Sequence, residues 1–264
     1  MELVDIGVNL TDRAFAPDLA DVLHRAREAG VGKMIVTGTN LKESGEAITL
    51  CREQGPGLWC TAGVHPHHAK EWTDQHYSSL KALLQDPLVV AMGETGLDFN
   101  RNFSPPQQQL YAFEQQLKLA AETGLPLFLH ERDAHAEQIG LLQQYRAHLN
   151  GGVIHCFTGS REELEHYLEL DLYVGITGWI CDERRGLHLQ ELIHHIPKDR
   201  LLLETDCPYL LPRTLRPKPK SRRNEPAYLA HITEQIAQML NLEPDMLANQ
   251  TSQNAATLFK LNPV

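Results

Sequence analysis

The chain has no apolar run approaching the roughly 18 residues of a membrane span, so no membrane-crossing helix is expected. Its opening residues, Met1-Glu2-Leu3-Val4-Asp5, lack a basic segment followed by an apolar one, and no secretory signal is expected. The five cysteines (Cys51, Cys60, Cys156, Cys181, Cys207) are odd in number and show no CxxC spacing. That pattern argues against a disulfide framework or a zinc knuckle, and for a reducing cytoplasm. No GxGxxG follows the first apolar run, which removes the simplest open-sheet dinucleotide fold. Basic residues are also outnumbered, and the formal net charge is −10. A protein that coats nucleic acid needs a basic surface, so this balance argues against one. An enzyme that grips a few nucleotides needs only a local basic patch.

The 264 residues fit a single α/β barrel domain spanning 1–264, for which about 250 residues is typical. Short apolar runs recur, and each reads as a buried strand. Val4 to Leu10 is the first. Met34-Ile35-Val36, Leu58 to Val64, Leu88 to Gly93 and Pro126 to Leu129 follow, then Gly152-Val153-Ile154, Leu172 to Ile176 and Leu201 to Thr205. Helical spacing lies between them: 18–30, 41–53, 74–85, 106–122, 134–145 and 162–170, with 226–240 after the last strand and 243–258 as a terminal extra helix. Alternating strands and helices with near-continuous apolar strands mean a parallel sheet covered on both faces. The expectation is an α/β fold, a single (β/α)8 TIM-type barrel with an extra C-terminal helix.

Residues of metal-ligand type close these runs: His65, Glu94, His130, His155 and Asp206. One such event is a weak signal, but its repetition along one chain reads as a site on the carboxyl rim of a barrel. Glu94, His130, His155 and Asp206 form a mixed nitrogen and oxygen set, suited to Zn, Mn, Fe or, with more carboxylate and water, Mg. His65 and His67 flank Pro66, where one could be a ligand or both could hold an oxyanion. Asp98, four residues beyond Glu94, reads as a supporting carboxylate. His24, His76, His166 and His188 lie on helices and are expected at the surface. Arg101, Arg132 and the cluster Lys218, Lys220, Arg222 and Arg223 are candidate phosphate contacts, the cluster following strand eight, where barrels often place phosphate sites. Trp179 and Tyr209 are candidates for stacking bases.

Together these residues resemble a known family, the TatD-type metal-dependent deoxyribonucleases, a branch of the amidohydrolase-like barrels. The motifs are Gly63-Val64-His65-Pro66-His67, Gly93-Glu94-Thr95-Gly96-Leu97-Asp98, His130-Glu131-Arg132-Asp133-Ala134 and His155-Cys156-Phe157-Thr158-Gly159. Leu203 to Leu210 and Arg222-Arg223-Asn224-Glu225-Pro226 complete them. The resemblance spans Asp5 to about Phe259. It implies divalent metal and hydrolysis of phosphodiesters, with 3′→5′ exonuclease action on single-stranded DNA or RNA supported by Mg²⁺ and a role in DNA repair or degradation. It carries Glu94, His130 and His155 over as metal ligands, Asp206 as ligand or general base, and His65 as a neighbour of metal and scissile phosphate.

The first strand departs from the His-x-His of many family members. Gly7 and Asn9 stand at those positions, and neither offers an imidazole. This variant resembles the TatD branch. It implies one firmly held ion, with a second recruited by substrate phosphate in a weak region around Asp5 and Asn9. Mg²⁺ is the expected cofactor, with Mn²⁺ and Zn²⁺ also compatible with the donors. A monomer without an obligatory protein partner is expected. The same ligands would also serve an amide or ester hydrolase, such as an aminoacyl-tRNA deacylase. A third reading is a nucleic-acid-binding protein impaired in catalysis by Gly7 and Asn9.

Overall fold

The computed structural model describes residues 1–261. Among them are eight strands: β1 (Leu3–Val8), β2 (Val31–Val36), β3 (Leu58–Ala62), β4 (Val89–Asp98), β5 (Leu127–Arg132), β6 (Gly152–Ile154), β7 (Tyr173–Ile176) and β8 (Leu201–Leu203). They form one sheet in the order β1 to β8, and Val8 bridges Cys207 in parallel just beyond β8. First and last strands thus meet, the closure of a (β/α)8 barrel. Helices α1 (Leu19–Glu28), α2 (Leu41–Gln54), α3 (Asp74–Leu83), α4 (Pro106–Thr123), α5 (His135–Tyr145), α6 (Arg161–Glu169), α7 (Leu187–Leu192) and α8 (Leu229–Leu240) alternate with the strands. The extra C-terminal helix is α9 (Pro244–Phe259).

The chain divides into two compact units. One comprises Met1–Val36, Cys156–Arg161 and the chain from Val174 onward, and so holds β1, β2, β7 and β8. In this unit α9 packs on β1 and β8. Its Asn254 amide donates to the carbonyls of Lys198 and Leu201, both at 2.8 Å, and so fixes the chain entering β8. An ion network gathers here too: Arg223 donates to Asp18 at 2.7 and 2.8 Å and to Glu225 at 2.8 Å, and Arg25 clasps Glu225 from the other side. The other unit, Thr37–His155 with Glu162–Tyr173, holds β3 to β6.

Strand β4 is longer than its apolar run suggests. The sequence pattern ends at Gly93 and places Glu94 to Phe103 in a loop, yet pairing with β5 continues through Gly96↔His130, Leu97↔Glu131 and Asp98↔Arg132. Glycine makes this possible. At Gly96, with φ of 137°, a Cβ would overlap the carbonyl oxygen of His130. Strand register shifts between Gly93 and Thr95, so Glu94 leaves the regular ladder. All ten residues of β4 are buried, including Glu94, Thr95 and Asp98. Helix α7 and the 3-10 turn Gly178–Cys181 between β7 and β8 also went unmarked by periodicity; α7 has six residues, too few for a repeat to show.

Candidate metal centre

Glu94 is the hub of the site in the unit carrying β3 to β6. Its Oε1 lies 3.0 Å from His130 Nδ1, 3.0 Å from His155 Nε2 and 3.3 Å from His65 Nε2. Ligand atoms of His65, Glu94 and His130 all fall within 4.8 Å of one another. Burial pushes the Glu94 carboxyl up, but the imidazoles of His65, His155 and His130 outweigh it and hold it well below the usual carboxylate range. Glu94 therefore carries a negative charge at neutral pH.

The imidazoles divide by their second nitrogens. His65 Nδ1 accepts the backbone N–H of His67 at 3.1 Å, so the proton of neutral His65 sits on Nε2, facing Glu94. Burial lowers this imidazole to about 4, which keeps it neutral. A ring held in that tautomer donates a hydrogen bond and offers no lone pair to an ion. His130 is different. Its Nε2 is buried without a hydrogen-bond partner, although Asp98 Oδ2 stands 3.4 Å away. Burial lowers its pKa, but Asp98 and Glu94 raise it further, so the surroundings favour positive charge at this point. His155 follows β6 directly, its backbone N–H donating to Leu129 O at 2.9 Å and its ring stacked on Phe128.

Asp98 faces two histidines, His67 and His130. It accepts His67 Nε2 at 2.8 Å, and its other oxygen takes the backbone N–H groups of Asn100 and Arg101. Burial pushes this carboxyl up; His130, His67 and the Arg101 N–H overcome that and hold it far below the usual range. Two buried glutamines of α4 position the same chain segments. Gln109 accepts from Asp98 N at 2.8 Å and donates to Asp98 O at 3.0 Å and Ser104 O at 2.8 Å. Gln116 spans both backbone groups of Val64 at 2.7 and 2.9 Å, just before His65. Neither is marked by the motifs of the sequence. Their signal was their spacing of seven, which puts two amides on the buried face of one helix.

A negative hub and two imidazoles, one of which has an orphaned buried nitrogen, fit a divalent cation bound by nitrogen and oxygen donors. Exposed Phe103 stands edge-on to His67, ring centroids 4.7 Å apart, and Arg132, the last residue of β5, is exposed.

In the other unit, Asp206 follows β8 with φ of 52°, and its backbone N–H donates to Gly7 O at 2.9 Å. The Asn9 amide donates to Asp206 Oδ1 at 3.0 Å and to Cys207 O at 3.1 Å. Asn9 thus orients Asp206. Asp5 is wholly buried and accepts from Thr205 N at 2.9 Å, Thr205 Oγ1 at 2.6 Å and Gly7 N at 3.3 Å; burial pushes its carboxyl up to about 8. Lys218, Lys220 and Arg222 are exposed, whereas Arg223 is engaged by Asp18 and Glu225. Trp179 carries the Arg185 guanidinium 4.5 Å over its ring, and exposed Tyr209 donates to Asp12 at 3.1 Å.

An alternating barrel with a buried histidine and carboxylate cluster defines a metal-dependent hydrolase architecture. The chain matches the family described as TatD related DNase over residues 4–260, and it belongs to that family. It is 56% identical over 259 residues to a 3'-5' ssDNA/RNA exonuclease TatD from Erwinia amylovora, covering 98% of this chain and 100% of the relative. The Salmonella typhimurium protein of the same name is 54% identical over 259 residues, covering 98% and 99%. Among solved structures, the TatD homolog YJJV from Escherichia coli superposes with a TM-score of 0.89 at 28% identity, covering 98% of each chain. No helix among the described residues is long and apolar enough to cross a membrane.

Proposed function

We propose that this protein is a metal-dependent nuclease that removes nucleotides from the 3′ end of single-stranded DNA or RNA. The observation that carries the reading is the convergence of His130, His155 and His65 on one Glu94 oxygen, in a chain more than half identical to named exonucleases of that kind. Glu94, His130 and His155 are the proposed ligands of a divalent ion, Mg²⁺ first and Mn²⁺ or Zn²⁺ next, with Asp206 as a further ligand or the general base. Such an ion supplies positive charge to a phosphoryl oxygen and makes water more acidic.

The chain's own groups do the rest. The His65 Nε2–H, which faces Glu94, is shared with a non-bridging phosphoryl oxygen once substrate binds, an electrostatic role that grows as charge develops there. Asp206, aligned by Asn9, accepts the proton of the attacking water. Asp98 holds His67 and keeps negative charge beside His130. Phe103 offers a flat apolar face for a base, and Arg132, Lys218, Lys220 and Arg222 offer exposed cations for the backbone phosphates. Arg223, already paired with two carboxylates, serves the fold in this reading. The protein is taken to act as a cytoplasmic monomer.

A carboxyl-ester or amide hydrolase would use the same donors. A substrate panel separates the two: single-stranded DNA, RNA, an aminoacyl-tRNA and a simple aryl ester, each with and without Mg²⁺. Release of mononucleotides alone supports the nuclease; hydrolysis of the acyl substrates alone overturns it.

A further inference from the structure

On the strand carrying His130, the next residue, Glu131, belongs to a second cluster that the proposed nuclease does not use. Neighbouring strand residues point to opposite faces, so Glu131 turns away from the side of β5 that bears His130. There it meets His135 of α5 and Glu163 of α6, and one ligand atom from each of the three lies within 4.8 Å of the others. Glu131 and His135 are largely buried, with side-chain exposures of 9% and 15%.

The His135 ring has one nitrogen with a partner and one without. Its Nε2 lies 3.0 Å from His166 Nδ1, so one ring donates and the other accepts. Its Nδ1 is buried and has no hydrogen-bond partner. If His135 donates through Nε2, a bare Nδ1 lone pair faces the Glu131 carboxylate. If His166 donates instead, the proton moves to His135 Nδ1 and still finds no acceptor closer than Glu131 Oε2 at 3.7 Å. An orphaned buried nitrogen of this kind is destabilising, because it has lost its water without gaining a partner. A cation between the ring and the carboxylates satisfies the first arrangement completely. The 3.7 Å spacing is close to the roughly 3.4 Å that separates two ligands bonded at about 2.1 Å to a tetrahedral ion. His166 then fixes the ring's tautomer, as the outer hydrogen-bond partner of a metal-bound histidine does. Glu131 is anchored from two sides. Its Oε1 accepts the backbone N–H of Ala134 at 2.9 Å, and Tyr167 donates to its Oε2 at 3.3 Å.

We propose that Glu131, His135 and Glu163 form a structural site for a divalent transition cation of the zinc class, tying β5 to α5 and α6. Zinc is bound by imidazole nitrogen and carboxylate oxygen, the donors that this cluster offers.

The test uses the full chain, stripped of metal by a chelator, titrated with Zn²⁺ in competition with a chromophoric chelator. His135→Ala and the nearly isosteric Glu163→Gln should each bind one zinc ion fewer than the unmodified protein, or bind it at least tenfold more weakly. In a Glu94→Ala background, Zn²⁺ should still raise the melting temperature, and adding Glu163→Gln should remove that rise. Equal zinc uptake by the unmodified protein and both variants overturns the proposal, as does a Glu94→Ala protein whose melting temperature ignores Zn²⁺. The comparison of Glu163→Gln with the unmodified protein stands whether or not Glu94 binds metal.

Discussion

Replacing Gln109 by leucine removes three hydrogen bonds from a fully buried position while keeping side-chain volume nearly constant. The Asp98 N–H and the carbonyls of Asp98 and Ser104 are left without their partner. An unsatisfied buried polar group costs about 1–3 kcal/mol, and partial relaxation of the segment lowers the sum, so a loss of about 3 kcal/mol is expected. In a chain of this size, that corresponds to a fall in melting temperature of about 6–12 °C. The damage should also reach the site. Asp98 holds His67 at 2.8 Å and stands 3.4 Å from His130, so a displaced Asp98 misplaces both rings. Misplacement of about 1 Å at reacting groups can cost about a hundredfold, and kcat on a labelled oligonucleotide should fall tenfold to a hundredfold while KM changes less. Urea unfolding and steady-state kinetics measure the two effects, with the exposed neighbour Gln108→Leu as control. A stability loss below about 0.5 kcal/mol with unchanged kcat would refute the role assigned to the α4 amides.

Asp206→Asn should abolish turnover and leave the melting temperature within a few degrees, because the amide oxygen still accepts from Asn9; full activity in a purified preparation would remove Asp206 from the mechanism. Asp5, raised to about 8 in the folded chain and near 4 when unfolded, binds its proton more tightly when folded. Stability from this group is therefore complete below about pH 4 and is lost by up to about 1.4 kcal/mol per pH unit as pH rises toward 8. Asp5→Asn should flatten that slope in urea titrations between pH 5 and 8; an unchanged slope contradicts the assignment. Phe103→Ala should raise KM for a single-stranded oligonucleotide about 5- to 150-fold, the range of one base stack, and leave a mononucleotide diester unaffected. An equal loss on both substrates would place Phe103 in packing.

The alternation of apolar runs and helical spacings made the barrel order legible, since parallel strands buried on both faces must be apolar throughout. Glu94, His130 and His155 were legible because each follows or interrupts such a run. The continuation of β4 to Asp98 was not, because two glycines that usually punctuate loops here keep the strand against β5. Arg223 read as a free cation, since Asp18 lies 205 positions away along the chain. Asn9 read as a weak ligand because its partner Asp206 is 197 positions away. His166 read as a surface helix residue, whereas its ring bonds to His135. In each case the pattern of one segment carried the residue type correctly, and only tertiary pairing assigned its partner.

A time course with 5′-labelled single-stranded DNA tests the central claim most directly. Chelator-treated protein should leave the strand intact, and added Mg²⁺ should restore a ladder that shortens from the 3′ end. Glu94→Ala, which removes the oxygen shared by His130, His155 and His65, should give no ladder under either condition. Undiminished cleavage by Glu94→Ala, or by protein still in excess chelator, would contradict a nuclease built on this metal centre.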